Sequence, residues 1–153
     1  MIRQDQPSII NSPESNRSRS AIGFAIDERS IAIATFPGKG RGVVAQRRFC
    51  AGETIERPPV IVIPREQVAL IRETRLASYY YEWGVDCKQA AIALGYGSLY
   101  NHSYEPNARF EFREDKECLE FISLREIEPG EEITINYNNL EESATQPLKF
   151  DVR

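Results

Sequence analysis

The only histidine in this chain, His102, lies in the run Leu99-Tyr-Asn-His-Ser-Tyr-Glu-Pro-Asn-Ala108, between Asn101 and Asn107. Amide, imidazole and phenol groups this close together can bind a ligand, orient it or carry a proton. Pro106 removes one backbone donor and the asparagine amides can satisfy local backbone groups, so the run reads as an irregular loop. Apolar stretches at 90–94 and 110–112 flank it, which implies that the loop is buried between packed segments. Ser103 beside His102 is not a hydrolase signature, because a catalytic triad is recognised by geometry in space and not by adjacency in sequence. A phosphate-binding loop of the Walker type is absent. Gly38-Lys-Gly-Arg-Gly42 offers two readings: bare backbone pressed against a ligand, or glycines that relieve a tight turn or bulge.

Short elements must position these groups. Residues 30–35 form an Ile/Ala/Thr strand, the glycine run interrupts it, and Val43-Val44-Ala45 resumes it. Ala51-Gly52-Glu53 is a turn between that segment and a short strand at 54–56; Pro58-Pro59 then separates it from another at 60–63. Strands this short, punctuated every eight to twelve residues, mark a β-rich, barrel-like domain. Residues 65–77 place Val68, Leu70, Ile71 and Leu76 among charges behind Pro64, the pattern of one amphipathic helix. The aromatic run 78–83 reads as extended, while 90–94 is compatible with a buried helix or a strand. Residues 108–112 and 119–124 alternate as a hairpin around the charged turn 113–117. After the turn at Pro129-Gly130, a last strand over 132–137 sets Ile133, Ile135 and Tyr137 on one face and Thr134 and Asn136 on the other. No internal repeat is visible.

Composition bounds the function. The 153 residues suit one domain with one core, and 41% apolar residues is an ordinary globular content. Residues 1–20, rich in Ser, Asn, Gln and Arg, read as a disordered lead-in. There is no apolar run of membrane-spanning length and no secretory leader pattern. Cys50, Cys87 and Cys118 have neither metal-ligand nor small-disulfide spacing, so they read as reduced thiols in a cytoplasmic protein with no metal site. Between Glu105 and Glu142, twelve acidic residues face four basic ones within an overall net charge of −4. That half should attract basic partners, or be a solvated acidic face; direct nucleic-acid binding, which needs Lys and Arg on phosphates, is disfavoured.

Taken together and in order, Gly38-Lys-Gly-Arg-Gly-Val-Val-Ala45, Asn101-His-Ser-Tyr-Glu-Pro-Asn107 and Gly130-Glu-Glu-Ile-Thr-Ile-Asn-Tyr137 resemble the SET-domain protein lysine methyltransferases. The likeness runs over about 30–138, and Leu124-Arg-Glu-Ile-Glu-Pro-Gly130 matches the family's lead into its last motif. It implies a mainly β fold with one or two short helices, a β-clip-like set of small sheets with a C-terminal pseudoknot formed by the 101–107 loop and the segment around Tyr137. It also implies S-adenosylmethionine as methyl donor, bound by the backbone of Lys39, Gly40 and Arg41, by Asn101 at its methionyl end, by the main chain of His102 at the adenine, and by Tyr137. His102 would then not be an acid–base catalyst; a buried imidazole bracing the knot is compatible with that role.

The resemblance makes Tyr137 the catalytic candidate, against the alternative that it is one more inward aromatic of an edge strand. In-line attack of a lysine amine on a sulfonium methyl needs both held close and collinear, and a phenolic oxygen beside that path can orient the amine. Neutralising a lysine of pKa about 10.4 at pH 7 costs about 4.6 kcal/mol; a dry channel near a positive sulfur lowers that cost by desolvation and like-charge repulsion. Phe110 and Ile135 match positions that tune the family's lysine pocket, with Tyr96 and Tyr104 as further channel candidates, though each also suits plain core. Phe110 and Ile135 bring no hydroxyl to anchor the amine, so more than one methyl is expected.

Three departures from the family pattern stand out. Tyr104 replaces a frequent cysteine, and no cysteine follows Cys118, so the zinc-binding tail of the histone-directed branch is missing. The tail 139–153, with Leu148 and Phe150 as apolar anchors, or a second subunit in a homo-oligomer, must then roof the channel. Glu56-Arg-Pro-Pro59 stands where many relatives have a tyrosine beside a glycine. The expected partner is a protein with a basic, lysine-containing segment; the alternative is a non-catalytic SET-like or β-clip module that binds a basic peptide or small ligand.

Overall fold

The computed structural model describes residues 30–138 and 145–148; the lead-in 1–20 and most of the tail 139–153, Phe150 included, lie outside the described residues. Among the described residues, ten short strands form three small sheets around one core, with a single α-helix on the outside. In the first sheet, strand β1 (Ile31–Phe36) forms a hairpin with β2 (Gly40–Ala45), and β2 also pairs with β10 (Glu132–Ile135). The other edge of β10 runs parallel to the two-residue strand β7 (Asn101–His102), with Thr134 opposite Asn101 and Ile135 opposite His102. A parallel pair cannot be closed by a hairpin. It sets the end of the domain beside a loop laid down much earlier in the chain, as the C-terminal pseudoknot requires.

The second sheet orders β3 (Thr54–Glu56), β9 (Cys118–Ser123) and β8 (Ala108–Arg113). The third orders β4 (Val60–Ile63), β6 (Gln89–Ala93) and β5 (Tyr80–Trp83). Phe49, Leu119, Phe121, Ile127, Ile133 and Ile135 are fully buried where the sheets meet. No helix among the described residues is long and apolar enough to cross a membrane.

Several sequence expectations need correction. The helix over 65–77 is shorter: α1 spans Arg65–Arg72, and a 3₁₀ turn follows at Arg75–Ser78. The cause is Thr74, whose hydroxyl donates to the Ile71 carbonyl (2.8 Å) and accepts from the Leu76 N–H (3.1 Å). These local bonds compete with the helical ladder and close it. Only Val68 of α1 is buried, and Leu70 and Leu76 are exposed. That 3₁₀ turn takes Ser78 out of the expected extended run, which begins at Tyr80. The segment 90–94 resolves as strand, the centre of its sheet. The glycine run interrupts the strand only at Gly38-Lys39, in the turn between β1 and β2; Gly40 and Gly42 already lie within β2, opposite Phe36 and Ala34. The last strand stops at Ile135, and Thr134 is buried as well as Ile133 and Ile135, so both faces of β10 are covered.

Outside the core, Glu120 ties β9 to its neighbours. It accepts from Arg57 (2.8 Å from Nε), Arg113 (2.8 Å from Nε) and the Thr54 hydroxyl (2.9 Å). Burial works to raise its pKa, but the Arg57, Arg113 and Thr54 hydrogen bonds override this and bring it from 4.5 to about 2. A depressed carboxyl contributes stability above its ordinary range, and that contribution fades as pH falls from about 4.5 toward 2. Both guanidiniums are partly exposed, which tempers the effect. Glu120→Gln should therefore cost on the order of 2 kcal/mol at pH 7 and almost nothing near pH 2. Urea denaturation at the two pH values checks this.

Candidate active site

Because β2, β10 and β7 are neighbours, the glycine run, the Glu131–Glu132 pair and the His102 loop converge on one edge of the first sheet. Gly38 and Gly40 occupy the left-handed region at φ +77° and +79°, and a Cβ on either would meet nothing within 4 Å. Gly42 is different: a Cβ there would lie 2.4 Å from Asn101 Nδ2 and 3.0 Å from the Phe36 ring. The bare backbone at 42 is what lets the Asn101 amide lie against β2. That amide donates to Glu132 Oε1 at 2.8 Å, and Lys39 Nζ pairs with Glu132 Oε2 at 2.7 Å. One carboxylate thus joins Lys39 and Asn101.

Asn107 clamps the loop to β10. Its Nδ2 donates to Glu131 Oε1 (3.0 Å) and to the Glu132 carbonyl (2.8 Å), and its Oδ1 accepts from the Thr134 N–H (2.8 Å). The Ser103 N–H donates to the Ile135 carbonyl at 2.9 Å. Just past β10, the Tyr137 N–H donates to His102 Nδ1 at 3.2 Å, and the Tyr137 hydroxyl donates to the Tyr100 carbonyl at 2.7 Å. The catalytic candidate is therefore anchored on the residue that precedes Asn101.

These bonds fix protonation states. An Nδ1 that accepts assigns His102 the neutral tautomer with its proton on Nε2, and burial lowers its pKa further. Its Nε2 is buried with no partner among the described residues. Burial, with Tyr79 and Glu132 nearby, pushes Tyr137 up to about 12, so it remains a phenol at any working pH.

The other candidates divide. Phe110 is buried with its ring 5.0 Å from that of Tyr81, and Ile135 is fully buried opposite His102. Tyr96 is half-buried against the same core. Tyr104 is half exposed: its ring edge meets His102 at 4.4 Å, and its hydroxyl donates to the Gln146 carbonyl at 3.3 Å. Arg41 is exposed on β2. Asn138 Nδ2 also donates to Gln146, at 2.8 Å, so the tail segment 145–148 rests on Tyr104 and Asn138 with Leu148 half-buried. No cluster of three His, Cys, Asp or Glu among the described residues could hold a metal ion.

Sequence reasoning did not give roles to Asn107, Glu132, Tyr81, Tyr100 or Glu56. The acidic pair in Gly130-Glu-Glu and the second asparagine of the loop were visible signals, but their partners come only from the fold. Glu56 is buried at 3% exposure, and Tyr100 is buried with its ring stacked on Phe121 at 4.3 Å.

The group that the motifs imply fits these residues. S-adenosylmethionine presents a carboxylate, an amine, a purine and a sulfonium. Left-handed glycine backbone with open space above it, an Asn amide, a Lys ammonium and an unpartnered buried imidazole N–H supply matching donors and room.

Comparison with known proteins agrees with this architecture. The family model "SET domain" matches residues 40–138. A Schizosaccharomyces pombe protein named histone-lysine N-methyltransferase, H3 lysine-37 specific, is 35% identical over 102 residues, covering 66% of this chain and 68% of that one. The Arabidopsis thaliana protein plastid transcriptionally active 14 is 34% identical over 67 residues, 42% of this chain and 14% of that one. The crystal structure of a candidate histone methyltransferase from Plasmodium falciparum superposes with a TM-score of 0.61 at 28% identity, covering 74% of this chain and 97% of that one. With the glycine hairpin, the clamped His102 loop and the Tyr137 segment joined in one knot, the chain belongs to the SET-domain family.

Proposed function

We propose that this protein is a protein-lysine N-methyltransferase that uses S-adenosylmethionine and acts on lysines in basic segments. The observation that carries the reading is the Tyr137 hydroxyl held on the Tyr100 carbonyl, next to Asn101 and one strand from the glycine hairpin. When bound, S-adenosylmethionine supplies a methyl on a positive sulfur, open to in-line attack by an amine.

The residues divide the remaining work. Lys39, Gly40, Arg41, Asn101 and His102 hold the donor, and Glu132 fixes Lys39 and Asn101 relative to each other. Tyr137 orients the amine; its hydroxyl is already fixed and stays protonated, so it needs no proton transfer of its own. Phe110 and Ile135 exclude water from the lysine and offer it no hydroxyl, which leaves the amine free to turn for a further methyl. The tail segment 145–148 and the exposed Tyr104 roof the entrance, with a second subunit as the other source of a roof. Exposed Glu114, Asp115 and Glu117 contribute to the acidic half that draws in a basic acceptor. Histones fit that charge, as do other basic proteins. Cysteines without metal-ligand or disulfide spacing support a cytoplasmic site of action.

Incubation with tritiated S-adenosylmethionine and core histones or total basic protein tests the reading. Label on protein supports it, and absence of label from every acceptor sinks it.

Gly42→Ala probes the donor site. The new methyl displaces the Asn101 amide and with it the bond to Glu132, so S-adenosylhomocysteine should bind about tenfold or more weakly, roughly 1.4 kcal/mol. Calorimetry on both proteins decides, and equal affinities would show that Asn101 does not hold the donor.

A further inference from the structure

Strand alternation predicts that Glu56 turns away from Ile55, toward the side of Thr54. The structure buries Ile55 and Glu56 alike, at 8% and 3% exposure. A break in register explains it: Thr54 sits opposite Ile122 while Glu56 sits opposite Phe121, so β3 carries a bulge. Bulges re-aim side chains, and they concentrate beside active sites. Thr54 stays outside in the Glu120 network, and Glu56 goes in.

Inside, neither carboxylate oxygen of Glu56 has a hydrogen-bond partner among the described residues, and the buried Tyr100 hydroxyl has none among them either. The Tyr100 hydroxyl and the Tyr96 N–H are near enough to favour the charged form without closing a bond. Tyr100 therefore links two groups: its carbonyl receives the Tyr137 hydroxyl, and its ring hydroxyl faces Glu56. Tyr81, whose hydroxyl donates to the Gly97 carbonyl at 2.5 Å, is close enough to feel both Tyr137 and Glu56. A buried carboxylate with no partner is costly, and natural folds keep one where a partner arrives from outside. The partner that must enter beside Tyr137 is a lysine.

We infer that Glu56 is a catalytic residue that receives the acceptor lysine, pairing with its ε-ammonium and taking one proton from it. The inference rests on the methyl-transfer reading above. In the step, one N–H bond breaks and one O–H bond forms on Glu56, while the electron pair stays on nitrogen. Two opposite charges become two neutral groups, which a dry site favours over a buried ion pair. The methylated product leaves as an ammonium, and Glu56 returns its proton to bulk water.

Burial holds the Glu56 carboxyl at about 7, within the range where a group both accepts and releases a proton near neutral pH. The ionisable side chains facing it, Tyr81 and Tyr100, are pushed up by burial and stay neutral there. Glu56 is thus the group that titrates.

The test uses wild type and Glu56→Gln with a lysine peptide and its norleucine analogue, which keeps the side-chain length and lacks the charge. Without donor, wild type should prefer the lysine peptide by about tenfold or more, and Glu56→Gln should lose that preference. With donor, the wild-type kcat/KM should rise with pH around 7, and that inflection should vanish in the variant. Thermal melts should fall for wild type as pH rises from 5 to 8, because a raised carboxyl costs stability once it ionises, and stay flat for Glu56→Gln. If the variant does not fold, the Glu56 carboxyl resonance of wild type decides, since it should move on adding the lysine peptide and not the norleucine one. Equal peptide preference with superimposable pH profiles, or an unmoved resonance, overturns the role of Glu56. No transfer by wild type at any pH overturns instead the reading beneath it.

Discussion

Tyr137→Phe is expected to lower the rate of methyl transfer by on the order of 10²- to 10³-fold, the range seen when one preorganised polar group is removed from a reacting centre. The effect belongs to kcat. The ring remains, so the 5.2 Å contact with His102 and the backbone bond to its Nδ1 survive. What disappears is the hydroxyl fixed on the Tyr100 carbonyl at 2.7 Å, the oxygen proposed above to orient the amine. That carbonyl loses a donor, at a cost of about 1 kcal/mol, so the variant stays folded. Because burial pushes the phenol up to about 12, no pH inflection near neutrality belongs to Tyr137. Single-turnover kinetics with saturating donor isolate the step; a variant within threefold of wild type would remove Tyr137 from the chemistry.

Asn107→Ala should have the largest effect on the fold. It deletes three hydrogen bonds between the loop and β10 and leaves the Thr134 N–H without its acceptor in a buried position. At roughly 1 kcal/mol per bond plus the penalty for an orphaned buried donor, the loss is about 3–5 kcal/mol. That is a large part of the roughly 5–15 kcal/mol that holds a domain together, and it corresponds to a fall in Tm on the order of 10 °C. Urea and thermal denaturation measure it. A loss under 1 kcal/mol would mean that the knot is held by packing alone.

These two residues show where the sequence was legible. Asn107 and Tyr137 both stood in motifs whose order announced the family, and the punctuated strands announced small sheets. The clamp did not show, because Asn107 meets residues 24 to 27 positions away. Local chemistry was misread where a side chain intervened, as when Thr74 closed α1 early. Periodicity failed at both ends of the site: β10 has two covered faces, so strict alternation exaggerated its polarity, and Tyr137 lies just beyond it. Glu56 was hidden for a subtler reason. Its charge and its place in Thr54-Ile55-Glu56 put it outside, and only the bulge against β9 turns it in.

The central claim is that the His102 loop and the Tyr137 segment together present a lysine amine to a methyl donor. Mass spectrometry of a lysine-containing acceptor after reaction with S-adenosylmethionine tests it most directly. The account predicts methyl groups on a lysine ε-nitrogen, with more than one added at long times, and none when Tyr137→Phe replaces wild type over the same interval. An acceptor left unmodified by wild type, or methylated at a group other than lysine nitrogen, would contradict it.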